Sequence, residues 1–169
     1  MINIYLCGSI ANAQVNALIA GLLKRFDFDV FDPCEIVPEA QPKAQFSQHV
    51  YSICKEAIER CDILLVFLDS YGRDSAWEVG FARGLGKRIV GLAVASNLFL
   101  EDWMVKYAID NILVLNPGWI VPGSGHLGWR DLMPQTTVIS LDSLANNLKD
   151  GLTLNSRCHE TGRKQQPNV

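Results

Sequence analysis

The stretch from Asp62 to Leu92 restricts this chain more than any other. An apolar segment, Ile63 to Leu68, meets a turn composition, Asp69-Ser70-Tyr71-Gly72. A helical pattern follows from about Asp74 to Leu85, and a second apolar segment runs from Ile89 to Val94. Segments this evenly apolar read as strands buried on both faces. A helix returning to a second such strand in one sheet is a right-handed parallel crossover. The helix is expected to turn Ala76, Val79, Gly80, Phe81 and Leu85 inward, and Gly84 and Gly86 to end it. Ligands of parallel sheets bind beyond the carboxyl ends of the strands, and Glu78 falls there, in the helix's first turn. The positive end of a helix favours a carboxylate. Glu78 is therefore a candidate nucleophile, or only an acidic residue matched to the dipole.

The remaining chain repeats the alternation. Ile2 to Leu6 reads as the first strand, with Gly8 supplying a tight turn and Ser9 a hydroxyl beside the next helix. Gly8-Ser9 is neither a Walker loop nor a full dinucleotide fingerprint, and only suggests a phosphate site. A helix over about Ala11 to Phe26 carries a stripe of Val15, Leu18, Ile19, Leu22 and Leu23. Phe28 to Phe31 is a short strand stopped by Asp32-Pro33, and residues 34–45 read as a loop. A helix from Phe46 or Ser47 to Arg60 brings Val50, Ile53, Cys54 and Ala57 to one face. After Val94, a helical pattern from Glu101 to Ile109 precedes a fifth strand, Asn111 to Leu115. The sum is an α/β three-layer, doubly wound fold with a parallel five-stranded sheet in the flavodoxin-like, Rossmann-like order 2-1-3-4-5. Residues 116–137, rich in Pro, Gly and Trp, interrupt the alternation, and Val138 to Leu148 reads as a short strand and a closing helix. Residues 1–152 are expected to form one domain and 153–169 a polar, disordered tail.

Composition excludes several partners. The formal net charge of −3 gives no electrostatic case for binding polymeric nucleic acid. No apolar run reaches membrane-spanning length, and the start lacks the features of a secretion signal, so a cytoplasmic protein is expected. The five cysteines show no paired metal spacing, and His49, His126 and His159 are scattered, so no metal is expected.

Two segments carry a family resemblance. Ala76-Trp77-Glu78-Val79-Gly80-Phe81-Ala82, followed by Gly86-Lys87, resembles the signature of the nucleoside 2-deoxyribosyltransferase family, including its deoxynucleoside 5′-monophosphate N-hydrolase branch. Ile4-Tyr5-Leu6-Cys7-Gly8-Ser9-Ile10 is similar to that family's first strand and glycine turn. The resemblance extends, more loosely, from Met1 to about Leu115. It implies cleavage of the N-glycosidic bond of a (deoxy)nucleoside or nucleotide through a glycosyl ester on Glu78, as in retaining glycosidases. Transfer goes to another base; with water as acceptor, the same chemistry is hydrolysis. No cofactor is implied. A nucleotide-binding module without turnover is the rival from another class.

The resemblance also assigns residues. Tyr5 matches the family's first-strand tyrosine, which orients the glutamate; packing in the core is the alternative. Asp69, Asp74 and Ser75 lie where the family contacts the sugar, although this loop is shorter than the common form, and Asp74 also reads as a helix N-cap. Cys54 stands where the family has the aspartate that protonates the base. A thiol is a weaker acid. Asp102 replaces an asparagine that reaches a neighbouring subunit, so a homodimer or larger homo-oligomer is implied, with a surface carboxylate as the alternative. Residues 34–45 are then a lid or a plain connection, and 116–137 an aromatic cap over a base or a docking arm.

Overall fold

The computed structural model describes residues 1–9, 13–36, 43–69, 72–93, 103–115 and 136–150. Asp102, residues 37–42, almost all of 116–137 and the 153–169 tail lie outside them, so the expectations placed there do too.

Five strands form a parallel sheet in the expected order: β1 (Ile2–Cys7), β2 (Phe28–Phe31), β3 (Ile63–Phe67), β4 (Arg88–Ala93) and β5 (Asn111–Val114). A sixth, β6 (Thr136–Val138), pairs in parallel with β5 and extends the order to β2-β1-β3-β4-β5-β6. The short strand read near Val138 thus joins the sheet and was not counted in the five.

The helices divide between two faces, and the pleat of the strands decides which side chains each covers. Helices α2 (Lys43–Arg60), α3 (Arg73–Gly84) and α4 (Trp103–Ala108) cover one face. Tyr5, Cys7, Leu64, Val66, Ile89 and Ile112 of the strands meet Cys54, Ile58, Val79, Ala82 and Val105 there. Helix α1 (Ala13–Lys24) and α5 (144–150) cover the other. Ile4, Leu6, Leu65, Phe67, Val90 and Leu113 pack there against Ile19, Leu23, Leu144 and Leu148. Every residue of β3 is buried, and each such aliphatic or aromatic side chain contributes roughly 1.5–3 kcal/mol.

Two helical faces differ from the periodicity reading. In α1 the buried set is Asn16, Ile19, Ala20 and Leu23, while Leu18 is 74% exposed. The stripe is rotated because Asn16, a polar residue, faces the glycine turn: a Cβ on Gly8 would lie 2.9 Å from its Oδ1. In α3, Ser75, Val79 and Ala82 are buried, whereas Gly80 and Leu85 are exposed. Ser75 takes an inward place in the first turn because its carbonyl is met by Cys7 of β1.

The end of α3 is fixed by Gly86 at φ 69°. The Lys87 amide bonds Ala82 O at 3.0 Å and the Gly86 amide bonds Arg83 O at 3.0 Å. That is a Schellman closure, which requires the left-handed residue glycine supplies. Lys87 then donates its ammonium to Glu59 O at 2.6 Å and Cys61 O at 2.9 Å. It satisfies carbonyls at the negative end of α2 and so locks α2 and α3 together at the foot of the site.

Candidate active site

β1 and β3 are adjacent, but their connections leave in opposite directions, to α1 on one face and to α3 on the other. A crevice at the carboxyl ends of such strands is the usual ligand position in open α/β sheets. The first turn of α3 overhangs it. Gly72 is the N-cap, in extended conformation and without a side-chain cap. Asp74 is therefore not the cap; it lies one residue inside the helix and is exposed.

Glu78 is half-buried one turn further on. The hydroxyl of Tyr5, itself 0% exposed, donates to Glu78 Oε1 at 2.6 Å. Two residues along β1, on the same face of the pleat, the Cys7 thiol donates to Ser75 O at 3.5 Å and also acts on the Glu78 carboxylate. Burial is the main cause raising the Glu78 carboxyl above its ordinary value, and Asp74 adds to it; the Tyr5 and Cys7 hydrogen bonds pull it back. The Tyr5 phenol is driven far above the tyrosine range, first by burial and then by the charge of Glu78. It stays a donor at any physiological pH, and its bond to a carboxylate is of the strong, charge-assisted kind.

Glu78 opens on a cleft of about 570 Å³ between α2 and α3, within the range of small-molecule sites. Helix α2 lines it with Phe46, Ser47, Val50, Tyr51 and Cys54, and α3 with Asp74, Trp77 and Glu78. Cys54 is 8% exposed, and burial raises its thiol while the Tyr5 hydroxyl partly offsets this. Tyr51 and Trp77 lie with ring centroids 5.5 Å apart, and Trp77 stacks on Phe81 at 5.1 Å.

The geometry thus gathers Glu78, Tyr5, Cys54 and Asp74. Gly8, Ser9, Asp69 and Ser75 are not on the lining of this cleft. Gly8 and Ser9 follow the end of β1 and Asp69 the end of β3, while the Ser75 side chain is 3% exposed beneath the first turn. Cys7 was not singled out from the sequence as a site residue, although its alternation with Tyr5 along a strand places both on one face. Trp77, within the family signature, also lines the cleft.

A half-buried, hydrogen-bonded carboxylate thus stands at a switch-point crevice of an α/β sheet and faces a cleft with aromatic walls. The chain belongs to the nucleoside 2-deoxyribosyltransferase family, whose profile matches residues 4–129. Among solved structures, it is similar to a 2-deoxyribosyltransferase from Bacillus psychrosaccharolyticus, at 21% identity and TM-score 0.54, covering 65% of this chain and 84% of that one. A conserved protein from Enterococcus faecalis V583 is similar at 18% identity and TM-score 0.52, with 89% and 98% covered. A Clostridium botulinum CMP N-glycosidase gives 16% and 0.46, with 68% and 89% covered. No curated protein matches the chain.

Proposed function

We propose that this protein cleaves the N-glycosidic bond of a (deoxy)nucleoside, with Glu78 attacking C1′ to form a glycosyl ester and a second base accepting the sugar. The observation that carries the reading is the 2.6 Å bond from the buried Tyr5 hydroxyl to Glu78, a residue of the cleft lining. Tyr5 fixes one carboxylate oxygen, which leaves the other to meet the anomeric carbon. The base occupies the cleft between α2 and α3. The sugar lies toward Gly8, Ser9 and Asp69 at the strand ends, within reach of Asp74. Ester formation splits one difficult displacement into two easier ones, and the acceptor completes the second.

The protein is proposed to work in a reducing cytoplasm as a homo-oligomer. Free thiols at Cys7, Cys34, Cys54 and Cys61 support the first, and the exposed Met104 and Tyr107 on α4 support the second. Multi-angle light scattering tests the oligomer; a monomer at working concentration removes it.

The central test is incubation with a panel of nucleosides and 5′-monophosphates, with and without acceptor base, followed by chromatography and intact-mass analysis. Transfer with a sugar adduct on Glu78 is expected. Base release only into water makes the protein a hydrolase. Binding without turnover makes it a nucleotide-binding module.

A further inference from the structure

We propose that the cleft selects nucleosides whose base carries a fixed positive charge, such as a pyridinium, over neutral nucleosides and over nucleotides. This narrows the substrate class of the glycosyl-ester reading and rests on it. The charge of the lining comes first. Its described residues include the carboxyl groups of Asp74 and Glu78 and no Lys, Arg or His. Lys55, on the neighbouring turn of α2, is held by Glu59 at 2.6 Å and lies over the Phe81 ring, off the lining. Asp74 and Glu78 are four residues apart on one helix and share its cleft face. A phosphate dianion is repelled by such a wall and a cation attracted.

The aromatic wall points the same way. Trp77 is 44% and Tyr51 51% exposed, and both line the cleft beside the two acidic residues. Ring faces attract a flat cation, Trp most of all.

The third observation is chemical. A neutral base leaves well only when a proton reaches it as the C1′–N bond breaks. The one buried side chain that α2 brings to the described lining is the Cys54 thiol, whose pKa burial raises. A cationic base needs no proton. When its C1′–N bond breaks, the electron pair returns to the ring nitrogen and the base departs neutral. The Glu78 oxygen bonds C1′ as the nitrogen leaves. Water then takes C1′ from the ester, restores the carboxylate and gives one proton to solvent. With a base as acceptor, the acceptor's nitrogen bonds C1′ and its own ring proton is released instead.

The experiment uses the full chain. Calorimetry on Glu78→Gln compares 1-ribosylnicotinamide and its 2′-deoxy form with their uncharged 1,4-dihydro counterparts and with nucleoside 5′-monophosphates. Tighter binding of the cations by about tenfold is expected, with most of that margin lost when Asp74→Asn or Trp77→Leu is added. Wild type is expected to release nicotinamide with one proton per hydrolytic turnover. Equal or tighter binding of the dihydro forms or monophosphates, with wild type releasing base from neutral nucleosides, overturns the charge preference and leaves the Glu78 chemistry standing. Absence of base release from every substrate, with no adduct on Glu78, overturns both.

Discussion

The Tyr5 hydroxyl meets Glu78 across 73 residues of sequence, and three substitutions around that contact have distinct signatures. Glu78→Gln keeps the shape and removes the nucleophile, so base release should vanish while the circular dichroism spectrum is unchanged. It should also alter the pH dependence of stability. Burial raises the Glu78 carboxyl in the folded state, so its contribution is fully present below the unfolded value and is lost as pH rises through the folded one. The Tm of the Gln variant, followed by calorimetry, should lack that decline from the ordinary carboxylate range upward. Tyr5→Phe removes a hydrogen bond that lowers the Glu78 value. The ascending limb of the activity–pH profile should move to higher pH, and kcat should fall about tenfold to a hundredfold. Cys54→Asp puts a carboxyl on the cleft wall. It should raise kcat on neutral nucleosides by about 10²–10⁴ and leave cationic ones unchanged. A lower Tm with no gain would mean that position 54 acts only as core.

At the scale of elements, the crossover from β3 through α3 to β4 was legible because buried strands and glycine-ended helices are written locally. Gly86 announces the Schellman turn, and the apolar runs announce β3 and β4. Which face each helix buries was less legible. Helical periodicity ranks apolar residues, yet Asn16 is 0% exposed and Leu18 faces outward, because the glycine turn and not hydrophobicity sets the contact. The contact between positions 5 and 78 came from resemblance; nothing in local pattern links them. Tight strand packing makes one further prediction. A Cβ at Gly91 in β4 would come within 2.7 Å of Leu68 Cδ1 and 3.4 Å of Ile109 Cδ1. Gly91→Ala should lower stability by about 1–3 kcal/mol in urea melts, with kcat of the folded fraction preserved, since it lies outside the cleft.

For the whole molecule, the parallel α/β class followed from the strand–helix alternation, and the short strand near Val138 stood outside the five-stranded order because it follows the long interruption after β5. Hydrogen exchange should rank the strands by position: slowest in β1, β3, β4 and β5, where neighbours pair on both sides, and faster in β2 and β6 at the two edges. The inner strand β1 has a particular standing. Its odd positions, Tyr5 and Cys7, face α2 and α3, and its even ones, Ile4 and Leu6, belong to the opposite core. A single inserted or deleted residue there would exchange the two sets. Ile4 or Leu6 would be offered to Glu78 and a phenol to the packing beneath α1. Heritable change in this segment is thereby held to fixed parity, so a lineage can retune the site through β1 by replacement but not by gaining or losing one residue.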